Sequence, residues 1–440
     1  METSKLVSIA RREAASDNKI KPNAMGMAIL EKHQIVTDGS GGNYYYTGAY
    51  WREMSEDTLL HLAHNADCEQ HTTHARRRET VSFIRAHSHI EQIKWRDLQL
   101  TEIPFANGVF DLATEKLRPH RPEDYLEAVL PHDWAGEIHE CPEWESALHT
   151  YWGADPDFDQ KCAALQEFMG YCLMPHARYK KALILQGNSD TGKSLVADVI
   201  ERMVGQSNCC CVSVEDMDDS TERTQLIGKM VNKITEISSR AVIADGGFKT
   251  LISTEESIGM RPLYRNPFNY TPIAKHVFAC NELPVVSDRS EGTFNRMLIL
   301  RFNRVLTKDE QDRALMDRLT NEIVAITHWA LAGARRLLAN RGMFTEVPDC
   351  AEALKEYRAS QNEIVDFISE KCAADIDGEI PFSEFFERFC NWSRSNKHTR
   401  HSVSRMLKQA GHASVVRWDG NQGRTRRIVA GIYWQPGAYS

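Results

Sequence analysis

The sequence predicts an α/β protein built on a parallel sheet, and three neighbouring features carry that prediction. Residues 187–194 read Gly-Asn-Ser-Asp-Thr-Gly-Lys-Ser, which is the pattern of a phosphate-binding loop. The apolar run at residues 182–185 is typical of a buried parallel strand, and residues 195–204 carry apolar side chains at helical spacing. Strand, glycine loop and helix in this order form the context in which such a loop binds phosphate.

The loop itself predicts a nucleoside triphosphate ligand, with ATP and Mg²⁺ as the expected cofactors. Glycine allows backbone angles that point successive N–H groups at phosphate oxygens, and the helix N-terminus adds partial positive charge. Lys193 is expected to reach the β- and γ-phosphates, and the Ser194 hydroxyl to ligate Mg²⁺. The candidate ATP contacts are Gly187, Asn188, Ser189, Asp190, Thr191, Gly192, Lys193 and Ser194.

The composition is that of an ordinary globular protein. The 440 residues are 42% hydrophobic and 26% charged, and the length suits about two to four domains. No apolar stretch approaches the ~20 residues of a membrane span, and the N-terminus lacks a signal-peptide apolar region. The 11 cysteines show no disulfide-framework spacing, which favours a reducing, cytoplasmic location. A net charge of −8 argues against indiscriminate coating of nucleic acid.

Changes of pattern along the chain predict four regions. Residues 1–130 are expected to form an N-terminal α+β domain, with an aromatic hairpin at 44–51, helices over 55–95 and a compact β-element at 103–112. Residues 131–178 are expected to form a helical collar or linker, 179–340 the nucleotide-binding core, and 350–440 a domain of helices followed by strands. Cys68, His71 and His74 match no standard zinc spacing, so surface histidines are expected there.

Three polar residues downstream of the loop stand at predicted strand ends. Glu236 terminates a strand-like run and is a candidate to hold the Mg²⁺ shell or polarise the attacking water. Asn281 follows an apolar strand, at the end where α/β sheets place ligands. Arg296 precedes another apolar run and suits an arginine finger supplied across a subunit boundary. The predicted catalytic set is Lys193, Glu236, Asn281 and Arg296, with Ser194 and Glu236 at the metal.

With these elements in order, the chain resembles the superfamily-3 (AAA+) helicases, in the branch that forms the C-terminal half of phage, plasmid and poxvirus primase-helicases. The resemblance runs from roughly residue 40 to the end. The motifs that carry it, besides the loop, lie at 103–109, 141–144, 170–171, 248–249, 264–268, 272–275 and 281–284. It implies a ring-shaped hexamer with ATP between subunits and single-stranded DNA in the channel. By this similarity Glu236 matches the second acidic motif, Asn281 the sensor and Arg296 the finger.

The segment between Glu236 and Asn281 matches the part that forms a DNA-gripping hairpin in these helicases. The candidate DNA contacts there are Arg261, Tyr264 and Arg265 at the tip, and Lys249 and Lys275 are further candidates in the segment. An ordinary solvated loop is the alternative. Cationic and aromatic groups together suit a channel that tracks the backbone and stacks on bases. The sequence departs from the family pattern at Thr235, where many ATPases carry a second acid, and at Asn295, where relatives often have an arginine.

The C-terminal region is strongly basic. Residues 388–427 hold ten basic residues and a single acid, Asp419. Helices at 381–393 and about 399–410 followed by strands around 415–418 and 427–429 predict a winged helix-turn-helix, which resembles the domain that closes this family. The candidate DNA contacts are Arg400, Arg405 and Lys408 on the second helix and Arg424, Arg426 and Arg427 on the wing. A protein-contact module with a solvated basic face is the alternative.

The leading prediction is an ATP-dependent DNA helicase, a ring translocase acting in replication of a phage, virus or mobile element, in the host cytoplasm if phage-encoded. Its expected partners are single-stranded and forked DNA, further copies of the chain and a separate primase or polymerase, and no membrane. By domain-size arithmetic the first ~100 residues leave no room for a primase domain, so the helicase part alone is expected. The alternatives are an ATPase that assembles at an origin or loads a helicase, and a DNA-binding regulator with a decayed ATPase core.

Overall fold

The structure is a computed structural model. It describes residues 21–66, 73–136, 140–237, 242–243, 245–252, 257–263, 265–286, 291–393, 398–410, 412, 414–419 and 424–435. Among the predicted features, Tyr264, Cys68, His71 and the turn at 420–423 lie outside the described residues. The described part mixes helices with a parallel sheet, which confirms the predicted α/β class.

The helices, in chain order, are α1 Pro22–Lys32, α2 Glu56–Ala66, α3 His74–His87, α4 Pro142–Trp152, α5 Phe158–Leu173, α6 Lys193–Val204, α7 Asp245–Ile252, α8 Glu291–Phe294, α9 Leu315–Asn321, α10 Ile323–Ala339, α11 Pro348–Lys371, α12 Phe382–Trp392 and α13 Arg400–Gln409. Short 3₁₀ turns cover Pro122–Asp124, Gln206–Asn208, Asp216–Asp218 and Glu222–Leu226.

The strands, in chain order, are β1 Ile35–Asp38, β2 Asn43–Tyr46, β3 Trp51–Met54, β4 His89–Ile90, β5 Glu102–Phe105, β6 Gly108–Asp111, β7 Lys116–Arg118, β8 Ala182–Gly187, β9 Cys209–Cys210, β10 Val231–Ile234, β11 Val242–Ile243, β12 Ile258–Met260, β13 Phe268–Tyr270, β14 Lys275–Cys280, β15 Val285–Val286, β16 Met297–Phe302, β17 Cys372–Pro381, β18 Ser414–Asp419 and β19 Arg424–Trp434.

A five-stranded parallel sheet in the order β16–β8–β14–β10–β9 positions the site. β14 is buried along its whole length and β8 over its first four residues, as expected of strands covered on both faces. Because all these strands are parallel, the carboxyl ends of β8, β10 and β14 lie at the same edge of the sheet. The predicted phosphate-binding loop, Glu236 and Asn281 all follow that edge.

The helices before the sheet pack closely on those after it. A Cβ atom added to Gly170 of α5 would lie 2.4 Å from the backbone of α10, and one added to Gly333 of α10 would lie 2.1 Å from the backbone of α5. The fully buried Glu167 accepts a hydrogen bond of 2.6 Å from the Arg336 guanidinium across the same interface. The two glycines therefore allow α5 and α10 to pack closely beside the sheet, and the Glu167–Arg336 ion pair connects them.

The N-terminal region contains two antiparallel hairpin elements. The predicted aromatic hairpin is confirmed, since β2 pairs with β3 and Gly48 lies in the connection with φ +100°. β5, β6 and β7 form the compact element expected at 103–112, and its core residues pack with α4, α5 and β8. The predicted helical run over 55–95 ends at His87, because the chain then pairs β4 with β1. The domain boundaries stay predictions.

The C-terminal region holds one strand that the pattern did not predict. Residues 372–381 read Cys-Ala-Ala-Asp-Ile-Asp-Gly-Glu-Ile-Pro, a segment of small and acidic residues with little intrinsic strand preference. Pairing with β19 forms the strand, giving an antiparallel sheet in the order β17–β19–β18. The predicted helices at 381–393 and 399–410 appear as α12 and α13. Within the described residues no helix is both long and apolar enough to span a membrane.

Candidate functional site

A cleft of about 1200 Å³ opens at the carboxyl edge of the parallel sheet. We call it the central cleft. Its lining comes from residues 188–195, 235–237 and 279–282, from α4, and from parts of the segment 306–318. The fold therefore brings together the loop, Glu236 and Asn281, which the sequence predicts as parts of one site.

Two glycines shape the loop for different reasons. Gly192 has φ +96°, and a Cβ atom there would lie 2.5 Å from the ring of Tyr151, so both backbone angle and space favour glycine. Gly187 has no left-handed backbone angle, so the predicted use of glycine's backbone freedom applies to Gly192 and not to Gly187. A Cβ atom on Gly187 would instead lie 2.5 Å from the carbonyl oxygen of Phe302 on β16, so close packing explains this glycine.

Lys193 places a cation inside the curl of the loop. Its Nζ donates to the carbonyl oxygen of Gly187 at 2.8 Å, to that of Asn188, and to the Thr191 hydroxyl at 3.3 Å. Lys193 is 7% exposed, and this burial lowers its pKa. Burial also raises the pKa of the neighbouring Cys280 thiol to about 12, so Cys280 is neutral at physiological pH.

Glu236 and Asn281 meet because their strands are neighbours. β10 and β14 pair in parallel, and the Ile237 N–H donates to the Ala279 carbonyl at 3.3 Å beyond the end of β10. The side chains of Glu236 and Asn281 are exposed and line the central cleft, as does Ser194. Carboxylate and hydroxyl oxygens are ligands that Mg²⁺ accepts, so Ser194 and Glu236 are the residues of this cleft predicted to hold a magnesium ion.

Arg296 lies at the opposite edge of the sheet. The register pairs Met297 with Ala182 and Phe302 with Gly187, so Arg296 precedes β16 at the sheet's amino end. Five residues of strand, roughly 17 Å, separate that end from the loop. Arg296 donates to the Gly292 carbonyl, and burial lowers its pKa. Arg296 therefore does not join the cleft of its own chain.

The cleft also contains charged residues that sequence reasoning missed. Arg318 of α9 donates through Nε to Glu143 of α4 at 2.9 Å and through Nη2 to Asp312 at 2.6 Å. Hydrogen bonds to these carboxylates raise the pKa of Arg318. Arg313 and Glu282 line the same space. Glu282 lies in the motif at 281–284 but was not predicted as a site residue, and no motif marks Arg313 or Arg318, because isolated charges resemble an ordinary solvated surface until packing places them.

The segment between Glu236 and Asn281 contains a hairpin. β12 pairs antiparallel with β13, and the connection carries Arg261 and Arg265. Arg261 is exposed, whereas Arg265 is half-buried and forms an ion pair with Glu53 of β3. Lys249 lies on α7, outside this hairpin.

Lys275 requires a correction. It begins β14, is 1% exposed, and donates through Nζ to the Met174 carbonyl. The ammonium lies 5.1 Å from the centre of the Tyr171 ring, and burial lowers its pKa to about 7. A side chain sealed between helix and sheet offers no surface to nucleic acid, so Lys275 leaves the set of candidate contacts.

The basic residues of the C-terminal region form two groups. Arg400, Arg405 and Lys408 lie on α13, whereas Arg424, Arg426 and Arg427 lie on β19, with the Arg424 side chain outside the described part. Arg405 contacts Glu282 of the central cleft. Arg426 approaches Glu379 at 3.4 Å, and Arg427 bonds Ser414 at 2.8 Å. Lys408 is exposed.

Two segments of the chain match known protein families. Residues 27–153 match the family described as D5 N terminal like, and residues 185–296 match a family of unknown function, DUF5906. The first match covers the region from α1 to the end of α4, and the second begins within β8 and ends at Arg296.

The chain is also similar to proteins of large DNA viruses. It is 21% identical over 366 residues to "Putative helicase 121R" of Invertebrate iridescent virus 3, covering 76% of this chain and 39% of that protein. It is 21% identical over 357 residues to "Putative helicase 184R" of Invertebrate iridescent virus 6, covering 70% of this chain and 36% of that protein. The chain thus spans about two fifths of the length of these relatives.

Among solved structures, the apo form of the NrS-1 C-terminal region aligns over 94% of this chain and 100% of its own, with a TM-score of 0.49 and 12% identity. The match over residues 27–153 and the low-identity viral relatives together link this chain to viral proteins named as helicases.

Proposed function

We propose that this chain is an ATP-dependent DNA helicase of the superfamily-3 type, acting in the replication of a virus or mobile element. In this proposal residues 179–340 with the parallel sheet are an AAA+ ATPase core, residues 131–178 with α4 and α5 form its collar, and the C-terminal region is a winged helix. The observation that carries the proposal is the convergence of the loop at 187–194, Glu236 and Asn281 on one cleft. Similarity to viral proteins named as helicases supports it.

In the central cleft the triphosphate of ATP would lie along the loop, with Lys193 neutralising the β- and γ-phosphates. Bound Mg²⁺ would be held by Ser194 and Glu236 and would offset the charge of the phosphates. Glu236 would also orient the attacking water, since Thr235 beside it cannot ionise. Asn281 would hydrogen-bond the γ-phosphate or the water from the neighbouring strand end.

Arg296 would complete the site of a neighbouring subunit. Its place at the amino edge of the sheet keeps it away from the phosphates of its own chain. An arginine finger that acts only between subunits makes hydrolysis depend on a ring, for which we propose a hexamer.

Nucleic acid would be held by the hairpin of β12 and β13, through Arg261, Tyr264 and Arg265, and by Lys249. The C-terminal region would contribute Arg400, Arg405 and Lys408 from α13 and Arg424, Arg426 and Arg427 from β19. The proposed substrates are single-stranded and forked DNA, and a separate primase or polymerase is a proposed partner.

The test is ATP-dependent strand displacement on forked DNA. We expect Lys193→Ala and Arg296→Ala to abolish displacement, while Lys116→Ala, which removes an exposed lysine of β7, retains it. Mixing Arg296→Ala subunits into wild type should lower activity more steeply than dilution alone, because each finger serves a neighbour. DNA-stimulated hydrolysis without displacement on any fork would contradict the helicase and favour a loader.

A further inference from the structure

An ion pair connects the C-terminal helix α13 with the wall of the central cleft. Arg405 Nη1 contacts Glu282 Oε2, and the two side chains are 33% and 52% exposed. Glu282 directly follows Asn281, and both line the cleft. A cation of the proposed nucleic-acid helix is thus paired with an anion of the proposed nucleotide site.

A second, buried contact keeps this junction in place. The Tyr357 hydroxyl of α11 donates to the Pro284 carbonyl, and Tyr357 is 4% exposed. Its ring stands edge-on to Phe294, 5.7 Å between centres. The segment 281–284 is therefore held at Pro284 by a buried anchor and at Glu282 by an exposed ion pair. Of these two contacts, the exposed pair is the one that a ligand can reach and exchange.

The charges determine whether exchange of the Arg405 partner strengthens or weakens nucleotide binding. A carboxylate beside a bound triphosphate repels it, and Arg405 neutralises the carboxylate of Glu282. A nucleic-acid phosphate is a strong acceptor for the same guanidinium. When a nucleic-acid phosphate binds Arg405, Glu282 loses its ion-pair partner. The negative charge of Glu282 then repels a triphosphate in the cleft without compensation. Solvent-exposed ion pairs contribute at most about 1 kcal/mol, so a nucleic-acid phosphate can displace Glu282 from Arg405. For the same reason the change in nucleotide affinity is at most about fivefold.

We propose that Arg405 is a positioning residue shared by two ligands. Paired with Glu282 it favours nucleotide in the central cleft, and engaged by a nucleic-acid phosphate it weakens nucleotide binding. The inference rests on the proposed function, because it assumes that the cleft binds a triphosphate and that α13 binds nucleic acid. Linkage makes the effect reciprocal, so nucleotide weakens the binding of nucleic acid to α13 by the same factor.

The test is the affinity of the full chain for a fluorescent ATP analogue, with and without saturating short duplex DNA. For wild type we expect the duplex to weaken analogue binding about two- to fivefold. Arg405→Ala should weaken binding without DNA to a similar degree and abolish the effect of DNA. Glu282→Gln should bind the analogue at least as tightly as wild type and be insensitive to DNA, whereas Arg405→Lys should keep part of the coupling.

The matched control is the exposed pair of Lys355 and Glu352 on α11, 3.5 Å apart. Lys355→Ala and Glu352→Gln should show the coupling of wild type. Wild type that binds both ligands independently, or coupling that persists in Glu282→Gln, would overturn the inference and leave the proposed function standing. Wild type that fails to bind the analogue at all would overturn both.

Discussion

At the scale of single residues, three buried lysines acquire different roles from their surroundings. Lys161 is sealed from solvent among carboxylates, with Asp155 at 2.6 Å and Asp349 at 2.7 Å. Lys193 lies among loop carbonyls, and Lys275 lies against a carbonyl and an aromatic ring. Carboxylates neutralise the charge of Lys161, whereas these contacts of Lys193 and Lys275 include no acid, and burial lowers the pKa of both. Stability, ligand binding and pH response therefore differ at residues that look alike in the sequence.

Gly192→Ala should lower the free energy of unfolding of the chain. The substitution strains a left-handed backbone and drives a Cβ atom into the buried Tyr151 ring. Gly48→Ala is the matched control, because Gly48 has φ +100° with nothing within 4 Å of its added Cβ. In urea unfolding, Gly192→Ala should lose about 1–3 kcal/mol more than Gly48→Ala. Equal losses would show that Tyr151 does not constrain the loop.

Lys275 should make the stability of the wild type rise with pH above neutrality. Its pKa is lowered by burial from 10.5 to about 7 in the folded chain. Between these values the unfolded chain binds a proton that the folded chain does not, so the free energy of unfolding increases with pH. Lys275→Met should flatten that slope, by roughly 4 kcal/mol across the window at 1.36 kcal/mol per pKa unit. Urea unfolding of both proteins at pH 7, 8.5 and 10 measures the pH dependence of the free energy of unfolding.

Lys355→Met serves as the control for this pH series, since Lys355 is exposed on α11. It should retain the slope of wild type. An unchanged slope in Lys275→Met would mean that Lys275 stays charged in the folded chain.

At the scale of elements, strand direction accounts for the predicted part of the site. The sequence shows Glu236 at the end of a strand-like run and Asn281 at the end of an apolar strand, and parallel pairing of β10 and β14 makes these ends adjacent. The local sequence was sufficient to predict these strand ends, because the spacing of apolar residues in a strand and the polar residue that ends it lie within a few neighbouring positions. It was insufficient for β17, whose strand conformation comes from pairing with β19, distant in the chain.

Gly170→Ala should destabilise the chain by separating α5 from α10. An alanine normally favours a helix interior, but here its Cβ would lie 2.4 Å from the backbone of the facing helix. We expect a loss of about 1–3 kcal/mol in the free energy of unfolding. Gly259→Ala, at an exposed position of β12 with nothing within 4 Å, should leave stability near wild type. A stabilised Gly170→Ala variant would contradict the close helix contact.

At the scale of the whole molecule, several cations of the proposed nucleic-acid surfaces are paired with acids of the chain. Arg265 of the hairpin pairs with Glu53 of the N-terminal sheet, and Arg405 of α13 pairs with Glu282 of the cleft. Within the C-terminal sheet, Arg417 and Arg426 both approach Glu379. Nucleic acid that bound at these proposed surfaces would have to replace an intramolecular partner of each paired arginine.

Glu53→Gln should tighten the binding of single-stranded DNA by up to about fivefold, since it releases Arg265 from an ion pair. Arg265→Ala should weaken binding, and the double variant should match Arg265→Ala alone. Glu31→Gln, at an exposed position of α1, should bind as wild type does. Titration by fluorescence anisotropy at fixed salt measures these affinities. Tighter binding by the double variant than by Arg265→Ala would show that Glu53 acts elsewhere.

The sequence by itself determined the α/β class, the loop at 187–194 and the strand ends that carry Glu236 and Asn281, because each signal lies within one strand–loop–helix unit. Tertiary structure alone decided that Lys275 is buried and that Arg318 and Glu282 line the cleft. The residue type alone does not distinguish a charged side chain on the surface from one in the core or in a binding site. Only the packing of distant segments assigns its solvent exposure and its partners, and these set its charge state and its chemistry.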